Sequence, residues 1–331
     1  MSGSIEGPCR SRGWNEAVFS VSDLDAAERL YTEVAGWAVA HRGMADPGQA
    51  RAWQINTGIP IDEIVLANAR EPGRYVRLVR FNDVPQKQIR SSGRFWDVGG
   101  ISNVSCRVAD MAATFGALQS RGWVGHHDPV TYQFGPFTVI EVAATGHDGI
   151  VFSLVERLEP KLAPGALAGH FTLPFNSPQI VADFEGSRRF YVDTLGFREV
   201  INTEITWQPP GANVFGLPYK LAMETPVKVS IVQPQGVMEG SIELFGPGEL
   251  AGRDFGAEAR PPNLGLLMLR FPVEDLDGYV EWLAQHGATP HVPPTDLVVA
   301  PYGRVRTAAV LSPNGSWLEF YEAIPGTGSE P

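Results

Sequence analysis

The stretch that decides the fold is AVFSVSDLDAAERLYTEVAGW, Ala17 to Trp37. An apolar run is followed by an Asp, then by apolar residues at three- and four-residue steps (Leu24, Ala27, Leu30, Val34), then by a Gly. This is a strand, a helix N-cap, an amphipathic helix and a left-handed stop. The same grammar recurs three times. It reads NVSCRVADMAATFGALQSRGW from Asn103 to Trp123, VADFEGSRRFYVDTLGF from Val181 to Phe197, and RFPVEDLDGYVEWLAQHGA from Arg270 to Ala288. Asp23, Asp110, Asp183 and Asp275 are the expected caps, and Gly36, Gly122, Gly196 and Gly287 the expected stops. Alternating strands such as YVRLVRF, TVIEVAA, VKVSIVQ and SWLEFYE follow each helix.

The four modules come in two flavours. The first and third helices end in LYTEVAGW and FYVDTLGF, the second and fourth in LQSRGW and LAQHGA. An ABAB order implies that a two-module unit was duplicated whole. The Pro- and Gly-rich stretch EPKLAPGALAG lies between the copies. The expected organisation is a flexible tail over 1–13, an N-terminal domain of modules 1 and 2 over 14–158, a linker over 159–169, and a C-terminal domain of modules 3 and 4 over 170–325.

Composition agrees with a packed α+β protein. Of 331 residues, 44% are hydrophobic and 19% charged, so a core is expected and disorder is not. The net charge of −11 opposes nucleic-acid binding. No apolar run approaches the roughly 20 residues of a membrane helix, and the N-terminus shows no signal core, so the expected partners include neither membrane nor nucleic acid and the expected location is cytoplasmic. Cys9 and Cys106 support no disulfide framework. The histidines form no metal motif, and GPGELAG lacks the lysine of a phosphate loop.

Four βαβββ modules in ABAB order, ending in SPNGSWLEFYE (Ser312 to Glu322), resemble the vicinal-oxygen-chelate superfamily of glyoxalases, bleomycin-resistance proteins and extradiol dioxygenases. The resemblance implies modules paired into two curved mixed sheets, each forming a cup. It also implies metal ligands on the first and last strands of the modules. At those positions the N-terminal half offers Glu16, Arg77, Asn103 and Ser153, a poor ligand set. The C-terminal half offers Glu243 and Glu319, with either His170 or Asn176 on the third module's first strand and Met268 on the fourth's. Pro174 and Pro178 favour His170. His170, Glu243 and Glu319 are therefore the expected ligands of a divalent metal, with the two glutamates facing one cavity and serving as the catalytic pair. Trp207, Phe215, Tyr219, Tyr302 and Tyr321 are expected around the substrate, with Arg304 near an anionic group and the loop Thr206 to Tyr219 as a lid.

The implied activity is that of a glyoxalase-like lyase or isomerase acting on a small hydrophobic or aromatic oxygenated metabolite through a metal-stabilised enolate. A metal-free small-molecule binding or resistance protein is the alternative. An extradiol-type dioxygenase is a second alternative, opposed by Met268 where a second His is needed. The resemblance leaves room for a homodimer.

Overall fold

The computed structural model describes residues 12–324 except 57, 92, 164–166, 168 and 235. Most of the expected tail and part of the expected linker lie outside the described residues. Module 1 consists of β1 (Glu16–Ser20), α1 (Leu24–Leu30), β2 (Ala38–Met44), a short α2 (Gln49–Ala52), β3 (Ile61–Ala67) and β4 (Tyr75–Phe81). Module 2 consists of β5 (Val104–Val108), α3 (Met111–Gln119), β6 (Val124–Gly125), β7 (Val130–Phe134), β8 (Phe137–Thr145) and β9 (Val151–Glu159). Module 3 follows with β10 (Asn176–Ile180), α4 (Phe184–Arg189), β11 (Arg198–Ile205), α5 (Tyr219–Glu224), β12 (Val227–Gln233) and β13 (Ser241–Gly246). Module 4 closes with β14 (Gly265–Pro272), α6 (Leu276–Gln285), β15 (Val292–Val299), β16 (Gly303–Leu311) and β17 (Trp317–Ala323). No helix is long and apolar enough to cross a membrane among the described residues.

Local chemistry sets each module. The side chains of Asp23, Asp110, Asp183 and Asp275 accept from the backbone N–H three residues on, at Ala26, Ala113, Gly186 and Gly278, each at 2.9 Å. Each such cap stabilises its helix by about 1 kcal/mol. Gly36 (φ 75°) and Gly287 (φ 83°) end theirs in the left-handed region. The two flavours have a structural basis: α1 and α4 run on into wide π turns over Tyr31–Ala35 and Phe190–Thr194, which bury Tyr31 and Tyr191. The helices of modules 2 and 4 have no such turn.

The strands form two mixed sheets. One runs β15-β16-β17-β14-β1-β4-β3-β2, the other β11-β12-β13-β10-β5-β9-β8-β6, with β7 added beside β8. The fold class is as expected, but the pairing is not. Module 1 shares its sheet with module 4, joined by antiparallel β1 and β14 with Glu16 opposite Arg270. Module 2 shares its sheet with module 3, joined where Asn176 of β10 meets Ser105 of β5. Each half of the chain thus gives one module to each sheet, where the sequence reading placed modules 1 and 2 together and modules 3 and 4 together. All four modules carry the same cap, helix and stop, so any two satisfy the same local rules and only long-range strand edges select the partners.

The main core lies between the sheets, where helix residues such as Leu24, Tyr31, Phe184, Leu276 and Tyr279 meet Phe19, Phe152, Leu244 and Phe320 of the strands. The opposite faces form the two cups. The cup of modules 1 and 4 is filled by a second cluster that includes Trp53, Val18, Val79, Met268 and Trp317. The cup of modules 2 and 3 is hollow.

Candidate functional site

In the filled cup the residues at the expected ligand positions bind one another. The Arg77 guanidinium donates to both Glu16 oxygens at 2.7 and 3.0 Å and to Glu63 at 2.7 Å. Arg270 donates to Glu16 at 2.7 Å, to Glu319 at 2.6 Å and to Gln49 at 3.2 Å. Trp53 Nε1 takes the second Glu319 oxygen at 3.2 Å, and the Tyr302 hydroxyl takes Glu16 at 2.9 Å. Glu16, Arg77, Arg270 and Glu319 are all buried. Burial alone would raise the pKa of Glu16, but the Arg77 and Arg270 charges and their hydrogen bonds hold it below the usual carboxylate range. The two arginines and their carboxylates form a closed ionic network.

The hollow cup is a cavity of about 600 Å³ lined by strands of both its modules. Its floor carries Asn103, Ser153, Asn176 and Glu243, the residues that the two modules supply at the first- and last-strand positions. Asn103 Nδ2 donates to Ser153 Oγ at 2.8 Å, and Asn176 Nδ2 donates to Glu243 Oε2 at 2.8 Å. Asn176 is held in turn by Ser241 Oγ and the Ser177 N–H, which donate to its Oδ1 at 3.0 and 2.7 Å. Glu141 of β8 joins them from the wall and accepts a short hydrogen bond from the Tyr132 hydroxyl. Glu243 lines the cavity. Burial, with the nearby Glu141 carboxyl, pushes its pKa up to about 8 against the opposing Asn176 bond. Burial also raises Glu141, although Tyr132 and Ser153 hydrogen bonds oppose it. A carboxyl that holds its proton into the neutral range, beside a second one that burial also raises, suits acid–base chemistry.

Aromatic rings surround this floor. Phe134, Phe137 and Phe175 line the wall, and the loop between β11 and α5 brings in Trp207 and Phe215. Trp207 lies 5.4 Å from Tyr132, and Phe215 lies 4.6 Å from Phe95 and 6.2 Å from Phe245. The expected lid loop therefore closes one side of the cup, with Trp207 against Tyr132 of module 2 and Phe215 against Phe95 of the connection between modules 1 and 2.

The expected residues are divided. Glu243, Trp207 and Phe215 line the hollow cup. Glu319 and Tyr321 belong to the other sheet and Tyr302 packs against its cup, so Glu243 and Glu319 do not face one cavity. His170 is exposed and outside any strand, while Asn176 occupies the first position of β10. Pro178 is tolerated inside β10 because its carbonyl is the group used there, accepting from Ser102 N–H and Oγ at 3.1 and 2.8 Å. Met268 sits two residues before Arg270 on the same face, and Arg270 is the residue opposite both Glu16 and Glu319. Tyr219 and Arg304 are exposed and away from the cup lining. Glu141 and Tyr132 were missed, although a lone Glu inside the apolar alternation of TVIEVAA was a signal.

Residues 168–320 match the family model of the Glyoxalase/Bleomycin resistance protein/Dioxygenase superfamily. Glyoxalase I from Zea mays is similar in fold over the whole molecule, with a TM-score of 0.62 at 15% identity, covering 94% of this chain and 92% of that one. Residues 168–320 belong to this superfamily by that match, and the likeness in fold extends over the whole chain. A Bacillus subtilis protein provisionally assigned as a dioxygenase is similar too, with a TM-score of 0.57 at 12% identity, covering 96% of this chain and 86% of that one. No curated protein sequence matches.

The superfamily's divalent metal does not fit the residues present in either cup. In one, Arg77 and Met268 hold two of the four positions, and the Arg77 and Arg270 guanidiniums already saturate the carboxylates at the other two. In the other, three of the four are neutral amides or a hydroxyl, and the single carboxyl retains its proton to about pH 8. Hard divalent ions select anionic oxygen or imidazole ligands, and this set supplies neither in sufficient number. Among the described residues no group of three or more His, Cys, Asp or Glu is placed to hold a metal.

Proposed function

We propose that this member of the superfamily works through the cup of modules 2 and 3, where it binds a small, largely aromatic, oxygen-bearing molecule and acts as a lyase or isomerase by proton transfer from Glu243. The supporting observation is a carboxyl with its pKa pushed up to about 8 at the floor of an aromatic cavity, beside a second raised carboxyl. The scheme routes no step through a metal. In the singly protonated pair, the acid donates to a substrate carbonyl oxygen as the carboxylate removes a proton from the adjacent carbon. The C–H electron pair becomes the C=C of the enol, and reversal at a different carbon completes an isomerisation. Asn176 fixes the Glu243 carboxyl, and Tyr132 fixes Glu141. The apolar walls exclude water and strengthen both contacts.

Solvent-deuterium exchange into a panel of aryl ketones and aryl 2-oxo acids, followed by NMR, tests this reading. Exchange α to the carbonyl with wild type, lost in Glu243→Gln while ligand binding persists, is the expected result. Binding without exchange in either protein would replace the enzyme by a sequestering protein, the second reading, which the aromatic collar also favours. Absence of binding to the cup would remove both.

A further inference from the structure

The charge of the cup opposes that of the chain. The protein carries a net charge of −11, yet the cup lining includes Arg90, Arg94, Arg107 and Arg157. Three of these guanidiniums have partners. Arg90 donates to the Asp97 and Gly99 carbonyls at 2.7 and 2.9 Å. Arg94 pairs with Asp97 at 3.2 Å, and Arg107 pairs with Glu239 at 2.9 Å. Arg157 has no carboxylate partner among the described residues and lies 4.7 Å over the Phe137 ring.

Its position follows from strand geometry. Ser153, Val155 and Arg157 succeed one another on the cup face of β9, with Glu141 opposite Val155 and Val139 opposite Arg157. Arg157 therefore stands one pair beyond Glu141, about 7 Å along the sheet. That span suits one aromatic ring between the carboxyl floor and the guanidinium.

We propose that the ligand is an aromatic organic monoanion of the carboxylate type, with its charged group on Arg157, its ring against Phe137 and Trp207, and an uncharged oxygen at the Glu141–Glu243 floor. This deepens the reading of the same cup given above and rests on it. A cation would meet Arg157 unfavourably. A neutral ligand would cover a guanidinium without supplying an acceptor, at the cost of its lost hydration. An anion gives a charge-assisted contact in an apolar surround, the setting in which such contacts are strongest.

The test compares two fluorescent probes with one aromatic skeleton, anilinonaphthalene sulfonate and the uncharged phenylnaphthylamine, on the full chain. Wild type should bind the anionic probe about tenfold more tightly. Arg157→Gln should remove that preference and leave the affinity for the neutral probe unchanged. Arg157→Lys, which keeps charge without the planar fork, should restore part of it. If both probes bind equally and Arg157→Gln alters neither, the anion assignment is overturned while the ligand cup stands. If neither probe binds, the cup itself fails, and the inference with it.

Discussion

Arg270 Nε lies 2.6 Å from Glu319 Oε1, and the same guanidinium reaches Glu16 at 2.7 Å. The superfamily's metal positions in this sheet are thus spanned by a side-chain cation. Arg77 completes the arrangement from the other module by binding Glu16 and Glu63, both at 2.7 Å. The result is a filled, structural cup, which leaves the hollow cup of modules 2 and 3 for a ligand.

Removing one ion from this network should be severe. Arg270→Met leaves buried Glu16 and Glu319 undercompensated, and unfolding in urea should show a loss of about 3–5 kcal/mol. Arg270→Met combined with Glu319→Leu should recover much of that loss, because an apolar pair leaves no buried charge without its partner. A loss under about 1 kcal/mol in the single variant would mean that the network is hydrated and weak.

The donor sets predict that purified protein equilibrated with manganese, nickel or zinc retains no stoichiometric ion after gel filtration. Glu319→Gln should leave metal content at the wild-type background and lower stability instead. One ion per chain, lost in that variant, would restore Glu319 as a metal ligand.

Stability should fall as pH rises through the neutral range. Glu243 has a folded pKa of about 8, above the roughly 4.3 of an exposed glutamate. Between those values the unfolded chain releases a proton that the folded protein keeps, so the folded state loses ground as pH rises and the loss levels off above about pH 8. Glu141, also raised, acts in the same direction. Glu243→Gln carries no such proton. It should be more stable than wild type at pH 9 by about 5 kcal/mol and nearly equal to it at pH 4. Parallel pH–stability curves for the two proteins would contradict the shift.

Much of the fold was legible because it is local. Four Asp caps, the glycine stops and the two helix endings lie within single modules, and the structure places them as read. Module pairing is a choice among strand edges far apart in sequence, and identical grammar in all four modules hides it. That choice moved Glu319 out of the cup that holds Glu243. The first-strand position of module 3 slipped for a related reason. Proline inside β10 was read as a break, which favoured His170 over Asn176. Trp207 and Phe215 were found because an insertion rich in Pro, Gly and aromatic residues is a loop with something to cover.

Trp207 is part-buried at the cup's edge, so its removal should weaken ligand binding more than folding. Trp207→Ala should lower phenylnaphthylamine affinity about fivefold to tenfold, in line with the loss of one aromatic contact. Unfolding by urea should shift by less than about 1 kcal/mol. Unchanged probe affinity would place the ligand elsewhere.

The most direct measurement is the titration of the Glu243 carboxyl itself, by carbon NMR of protein labelled at the glutamate side-chain carbonyl, with Glu243→Gln to assign the signal. The account predicts a midpoint near 8, together with a second, coupled shift from Glu141. A midpoint in the ordinary carboxylate range, near 4, would contradict it, because Glu243 would then be a fully ionised group with no proton to give at neutral pH.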